Sequence, residues 1–322
     1  MTVARSLFVA DLGGTKLTCA VVDGAGKILA RHTERVDTST TLAPVNQICQ
    51  TAAVLAPSKG PRRQSSWAAA GVAVPGLVRR TGTVWAPNLA GWDHVPLGRL
   101  LGKRLRIPVV VESDRNAAVL GEAWQGAGRR KTDVIALVVG TGIGAGILSG
   151  GQLIRGAHEL SGCAGWMAIA EGETEISRRV GSLEALAAGP AIAKAASRLA
   201  MLTPKARTAS GRSRKLLVSA LDVAEAARRG NRQAKQIFHR AAHILGLAVA
   251  NLISMFDPEV VVIGGGLAGA SDLFFDTLRR TALEHCQPLA ARRVRICVSQ
   301  LGPDANLLGA ARLALLASGG SE

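Results

Sequence analysis

Two glycine-rich segments carry residue types suited to phosphate: Asp11-Leu12-Gly13-Gly14-Thr15-Lys16 and Gly140-Thr141-Gly142-Ile143-Gly144-Ala145-Gly146. Each follows an apolar run, Leu7-Phe8-Val9-Ala10 before the first and Val134 to Val139 before the second. A strand that breaks into a tight glycine turn brings backbone amides close to a polyphosphate, N–H groups inward. Asp11 adds a hard oxygen ligand suited to the water shell of a magnesium ion. A third segment, Gly264-Gly265-Gly266, follows Val260 to Ile263 and is placed to lie against a nucleoside. One glycine turn is usually a plain hairpin, but three behind buried-type strands favour function, with a nucleotide held between two related halves. Glu112-Ser113-Asp114 closes another apolar run, Val109-Val110-Val111. Ligand sites in open α/β sheets cluster at such strand ends. Asp114 is therefore a candidate for chemistry, and equally for a helix N-cap.

The elements that position these residues read as α/β. Residues 7–10, 17–22 and 28–33 form a meander with Asp23-Gly24-Ala25-Gly26 as a hairpin turn. A helix is expected over 42–56, a buried strand over 67–74 ending at Pro75-Gly76, and a short strand over 82–85. A helix over 97–105 leads to strand 109–111, and another helix covers 115–124. The second half repeats the theme: strands over 134–147 around a glycine turn, then helices over 183–201, 220–229 and 233–256, the last stopped by Asp257-Pro258. Strands over 260–263 and 294–298 and a final helix over 307–316 complete the chain. Residues 205–215, rich in Ser, Thr, Gly and basic side chains, read as an exposed loop. The domain boundary falls near residues 115–130. It is placed to give 1–118 and 119–322, with the last helix able to return to the first domain.

At 322 residues the chain exceeds what one core usually serves. Tyrosine is absent and aromatics are 3%, so the core has to be built from Ala, Val, Leu and Ile. No stretch reads as a membrane span; the longest apolar helix candidate, 241–256, falls short of the usual ~18–20 residues. No signal peptide is visible. Five cysteines without close pairing argue for a reducing compartment, the cytoplasm, and against disulfides or a cysteine-rich zinc site. They read as small buried hydrophobes. The net charge of +16 is spread over pairs such as Arg62-Arg63 and Arg129-Arg130. With no helix-turn-helix and no aromatic platform, this reads as a solvated surface or attraction for anionic substrates, not specific nucleic-acid binding.

Taken in order, these segments resemble the ROK family of sugar kinases and repressors, in the actin-like ATPase superfamily. The matching stretches are the two glycine turns, Val74-Pro75-Gly76-Leu77-Val78, Ala86-Pro87-Asn88-Leu89 with Gly91-Trp92, Val111-Glu112-Ser113-Asp114 with Asn116-Ala117-Ala118, and Leu307-Leu308-Gly309-Ala310-Ala311. The resemblance implies two RNase-H-like domains with a cleft between them, and ATP-dependent phosphorylation of a hexose or hexose derivative. It makes Asp114 the base for the attacking hydroxyl and Asp11 the holder of the Mg2+ water shell. Gly13, Gly14, Thr15, Lys16, Gly140, Thr141 and Gly142 would meet the phosphates, and Gly264, Gly265 and Gly266 the adenosine. Asn88, Ser113, Asp114 and Glu184 would meet the sugar. Glu184, in the first turn of a helix, also suits the helix dipole. A homodimer is implied too.

The chain departs from the family after the second glycine turn. Where ROK kinases show Gly-Glu-x-Gly-His, it reads Gly162-Cys163-Ala164-Gly165-Trp166, and the cysteine cluster that holds a structural zinc is missing. Zinc is therefore not expected, because one Cys and one His cannot close a tetrahedral site. A thiol and an indole replace a carboxylate and an imidazole near the anomeric carbon, so the sugar pocket is altered. Trp166 either stacks on a pyranose face or, the favoured reading, plugs the space of the missing zinc segment. The family's Asn-Asp pair is Ser113-Asp114 here. Two rival readings are a non-enzymatic sugar sensor and a kinase that uses polyphosphate as donor.

Overall fold

The computed structural model describes residues 6–56, 67–169, 174–199, 205–207, 213–215 and 218–319. The chain divides into two compact units, one of Met1–Ala136, Gly146–Gly162 and Ser299–Glu322, the other of Leu137–Ala145 and Cys163–Val298.

The first unit opens with β1 (Leu7–Leu12), β2 (Lys16–Val22), β3 (Ile28–Arg35), α1 (Ala43–Leu55), β4 (Ala70–Val74), the short pair β5 (Leu77–Val78) and β6 (Val84–Trp85), α2 (Leu97–Leu105), β7 (Val109–Ser113) and α3 (Asp114–Gln125). Next come β8 (Val134–Val139), β9 (Ile143–Ser149) and β10 (Gln152–Leu153). The second unit continues with α4 (Glu175–Val180), α5 (Ser182–Ala187), α6 (Gly189–Arg198), β11 (Lys205–Arg207), β12 (Ser213–Lys215), α7 (Ala220–Arg228), α8 (Arg232–Phe256), β13 (Val260–Gly264), α9 (Ser271–His285), α10 (Pro288–Ala291) and β14 (Arg295–Val298). The closing helix α11 (Ala305–Ala317) belongs to the first unit. Two five-stranded sheets result, ordered β3-β2-β1-β4-β7 and β10-β9-β8-β13-β14. Each carries the expected meander beside parallel strands.

Period-two alternation explains how the first sheet buries both faces. Phe8, Ala10 and Leu12 of β1 join a cluster with Ile48 of α1 and Leu101 of α2. Leu7 and Val9 face the other way, toward Ala117 of α3 and Leu307, Ala310 and Ala311 of α11. Small residues let α11 approach at backbone distance. A Cβ on Gly309 would stand 1.7 Å from the Ala117 carbonyl oxygen, and one on Gly71 of β4 would stand 1.9 Å from the Ala310 oxygen.

Several expectations need correction. Residues 205–207 and 213–215 are paired antiparallel strands, not loop, although 208–212 lie outside the described residues. The helix expected over 183–201 is two helices broken at Ala188, whose backbone is extended; the Gly189-Pro190 pair starts the second, and Met201 lies outside the described residues. Helix α9 is an element the sequence reading lacks, although its buried Phe274, Thr277, Leu278, Thr281 and Ala282 carry helical spacing. α8 spans 25 residues and is long and apolar enough to cross a membrane, unlike the shorter segment expected. Yet 61% of that apolar window is buried inside the protein, as in a core helix. Of the cysteines, Cys19 and Cys286 are buried, whereas Cys49, Cys163 and Cys297 are half-buried.

Candidate active site

In the first unit the strand register lines up the acidic residues. Asp11 of β1 pairs with Ala73 of the parallel β4, and Ala73 pairs with Glu112 of the parallel β7. Asp114 follows two residues beyond that row, as the first residue of α3. Three parallel strands therefore bring two aspartates to one edge, the carboxyl ends where such sheets bind ligands. Ser113 is the N-cap residue and Asp114 is not; Asp114 instead accepts a 2.8 Å bond at Oδ1 from the Arg115 amide. The N-cap alternative for Asp114 thus falls away.

The first glycine turn closes the β1–β2 hairpin, with the Gly13 amide donating to the Lys16 carbonyl at 2.9 Å. Gly14, Thr15 and Lys16 are exposed there. A Cβ on Gly14 would lie 3.7 Å from Cβ of Asn88, so this turn stands beside the exposed Asn88 of the 86–89 turn. Ser113 is 1% exposed, with its hydroxyl directed at Glu112 Oε1 at 3.4 Å.

Sequence reasoning missed the groups that hold these residues. Asn306, in the first turn of α11, donates to Asp11 Oδ1 at 3.2 Å across 295 positions. Glu112 accepts from the Ser113 amide (2.9 Å) and Asn116 Nδ2 (3.0 Å) at one oxygen, and from Arg155 Nε (3.1 Å) and Nη2 (2.8 Å) at the other. A polar residue just ahead of an apolar helix was the available signal for Asn306; nothing local marks Arg155.

In the second unit the other two glycine segments converge. Gly140 donates to the Gly142 carbonyl at 2.9 Å, closing the β8–β9 turn, and its own carbonyl accepts from Gly189 at the start of α6 at 2.9 Å. Gly264 ends β13 in a buried position, followed by the exposed Gly265 and Gly266. Gly265 has φ +84°, and a Cβ there would meet the Val139 carbonyl oxygen at 2.5 Å. Only glycine permits both that backbone conformation and that approach. Gly140 lies against Gly266, whose amide nitrogen would be 3.7 Å from an added Cβ. Thr141 and Gly142 are exposed.

Glu184 lies in the first turn of α5, and its Oε2 accepts from the Ile143 amide at 2.8 Å. It braces the glycine turn directly. Trp166 is 58% exposed, so it does not plug an interior space. Cys163 precedes it at the head of a 3-10 turn, Ala164–Trp166. Among the described residues no group of three or more His, Cys, Asp or Glu stands together as a metal set.

The sequence matches the ROK family over residues 8–316. The chain belongs to the ROK family. A glucokinase of Thermotoga maritima is 34% identical over 312 residues, covering 94% of this chain and 95% of that one. The bifunctional enzyme NanE/NanK of Brucella melitensis is 37% identical over 308 residues, 94% of this chain and 53% of that longer protein. A ROK family glucokinase from Streptomyces griseus, crystallised with glucose and AMPPNP, matches at TM-score 0.78 and 30% identity, covering 97% of this chain and 99% of that one. This ROK protein is a sugar kinase with the two-domain actin-like ATPase fold, and it phosphorylates a hexose or hexose derivative.

Electrostatics of the ROK aspartates follow from their burial. Desolvation pushes the Asp11 carboxyl up to about 6, opposed by the Asn306 bond and reinforced by the Asp114 charge. Desolvation likewise raises Asp114, opposed by the amide and charge of Arg115. Because Asp11 holds its proton more tightly folded than unfolded, its contribution to stability is greatest below the unfolded pKa near ~4 and is lost as pH rises through about 6. Asp11→Asn is therefore expected to stabilise the metal-free protein by roughly 2–3 kcal/mol at pH 7.5 and hardly at all at pH 4. Urea unfolding at both pH values measures this. A variant no more stable than wild type at pH 7.5 would show that Asp11 ionises at no cost.

Proposed function

We propose that this ROK kinase transfers the γ-phosphoryl group of ATP to a hexose hydroxyl, with Asp114 as general base. The observation that carries the reading is the position of Asp114, half-buried two residues past the Asp11–Ala73–Glu112 row, with desolvation raising its carboxyl above the ordinary value. Phosphoryl transfer needs positioning and charge neutralisation more than covalent chemistry, so one carboxylate and a divalent ion are enough.

Mg2+ fits the first unit, because Asp11 and Asp114 are hard oxygen donors at one sheet edge and the Asp114 charge raises the cost of ionising Asp11. Asp11 would hold the ion through its water shell; bound Mg2+ neutralises charge on the transferred phosphoryl group. Gly13, Gly14, Thr15, Lys16, Gly140, Thr141 and Gly142 are assigned to the phosphates. Gly264, Gly265 and Gly266 are assigned to the adenosine. Asn88 and Glu184 are assigned to sugar hydroxyls, with Glu184 also bracing the phosphate turn. Ser113 is assigned to holding Glu112 instead of the sugar. The enzyme carries no structural zinc, and works as a homodimer in the cytoplasm.

The deciding experiment is an ADP-release screen over hexoses, amino sugars and N-acetylated sugars, with sugar-phosphate formation measured directly when polyphosphate replaces ATP. Turnover with ATP on one sugar class is expected. Transfer from polyphosphate alone would establish the second donor, which the +16 charge favours. Binding of sugar without turnover on either donor would establish a sensor.

Cys163 and Trp166 set the sugar choice in this reading. Glucose is expected to be a poor substrate, and Cys163→Glu with Trp166→His is expected to lower its KM about tenfold, roughly 1.4 kcal/mol, within reach of one hydrogen bond to a charged group. The exposure of Trp166 means the change opens no core cavity, so thermal melting should be unchanged. A stable double variant with unaltered glucose kinetics would remove these two positions from sugar selection.

A further inference from the structure

We propose that Arg115 and Arg155 are positioning residues, forming a reciprocal clamp that fixes segment 155–162 to the helix carrying Asp114 and thereby sets the aim of the base. The inference rests on the assignment of Asp114 as base.

Arg115 is 8% exposed, an unusual place for a guanidinium. It bonds main-chain carbonyls from two separate loops. Nε donates to Ser161 at 3.1 Å, Nη1 to Gly76 at 3.0 Å and Nη2 to Glu159 at 3.0 Å. The same residue's amide donates to Asp114 Oδ1 at 2.8 Å. Its side chain therefore anchors the peptide that orients the carboxylate. Its carbonyl is packed as closely: a Cβ on Gly146 of β9 would stand 2.1 Å from it.

The grip runs in the other direction too. Arg155, where segment 155–162 begins, donates twice to Oε2 of Glu112, which lies two residues before Asp114. One arginine reaches from the base-bearing helix to the segment, and one from the segment to β7, the strand that leads into that helix.

The segment is held in a conformation it would not choose. Glu159 has φ +60°, the left-handed region that disfavours a residue with a side chain. Its carboxylate takes a 3.0 Å bond from Arg80 Nε at one oxygen, and the other oxygen is buried without a partner. Local strain of this kind persists where surrounding contacts over-determine the backbone. The Arg115 bonds to Glu159 and Ser161 are such contacts. A lysine could not replace them, since an ammonium is a point charge and the three carbonyls require the planar fork.

The test uses Arg115→Ala, Arg115→Lys and Arg155→Lys in the full chain, with steady-state kinetics on ATP and the sugar that the screen selects. Alongside them go hydrogen exchange over 155–162 and thermal melting. Arg115→Ala is expected to lower kcat about tenfold or more, because small misplacements of a reacting group are costly. The KM for ATP should stay within about twofold, with faster exchange confined to 155–162 and its neighbours; Arg115→Lys should recover only part of kcat. If the alanine variant fails to fold, the two lysine variants carry the same comparison. Unchanged exchange over 155–162, or faster exchange with full kcat in the folded protein, overturns the clamp. Asp114→Asn run in parallel separates the two readings. Full turnover in that variant overturns the base, whereas exchange in the arginine variants still judges the clamp.

Discussion

Asp114→Asn is expected to lower kcat by about two to four orders of magnitude while leaving nucleotide affinity intact, the span of general-base effects. An amide at this position preserves the acceptor for the Arg115 amide, so the start of α3 should keep its geometry. It cannot take a proton from the attacking hydroxyl. The same change should make the ligand-free protein more stable near neutral pH. Burial raises the Asp114 pKa, so the ionised carboxylate is held at a cost that a neutral amide does not bear. A variant that is well folded, binds ATP and has lost turnover is the expected combination. Near-full turnover on the accepted sugar would remove Asp114 from the chemistry.

Gly309→Ala is expected to be the most damaging glycine-to-alanine change among the described residues. The added carbon would lie 1.7 Å from the Ala117 carbonyl oxygen and 2.8 Å from Cα of Ala117. These are backbone atoms of α3, so no side-chain rotation can relieve the clash, and α11 has to move away from the helix it packs against. Overpacking usually costs ~1–3 kcal/mol, and this site should reach or pass the upper end. Against a typical total of ~5–15 kcal/mol, that is a large share. Gly269→Ala is the matched control, since an added Cβ there meets nothing within 4 Å. Urea midpoints of the two variants should differ clearly; equal midpoints would mean that α11 and α3 are free to separate. Kinetics should suffer as well, because α11 also carries the Asn306 that bonds Asp11.

Much of this was legible in the sequence because it is local. Continuous apolar runs marked β1, β4, β8 and β13, which are buried on both faces, and the half-buried β7, and glycine after the run marked the turns that follow β1, β8 and β13. The α/β architecture and the position of Asp114 at a strand end followed from those signals. What escaped was of two kinds. α9 escapes although its periodicity is present, and β11–β12 is hidden because Lys205-Ala206-Arg207 and Ser213-Arg214-Lys215 are too short and too basic to show an apolar pattern. The remaining omissions were long-range. Asn306 reaches Asp11 across 295 positions, and Arg155 reaches Glu112 across 43. A side chain's partner at such a distance is set by the register of a sheet and the docking of a helix, not by neighbours in sequence. Trp166 departs from expectation for a related reason: a large apolar residue suggests burial, yet this one stands exposed in a short turn.

The return of α11 to the first unit carries a consequence for how the protein is made. Residues 6–136 leave the ribosome long before residues 305–317, with the second unit's sequence between them. Until the last helix emerges, Leu7, Val9, Ala20, Val22, Ala73 and Ala117 lack the apolar face of Leu307, Ala310 and Ala311 that covers them. The nascent first unit is then an open, sticky sheet at a time when the second unit can already close. Such a chain calls for holding by chaperones during synthesis, since exposed apolar surface on a waiting domain is what aggregates. Asp11 gains its Asn306 partner in that same final event, so the site proposed for nucleotide is assembled last.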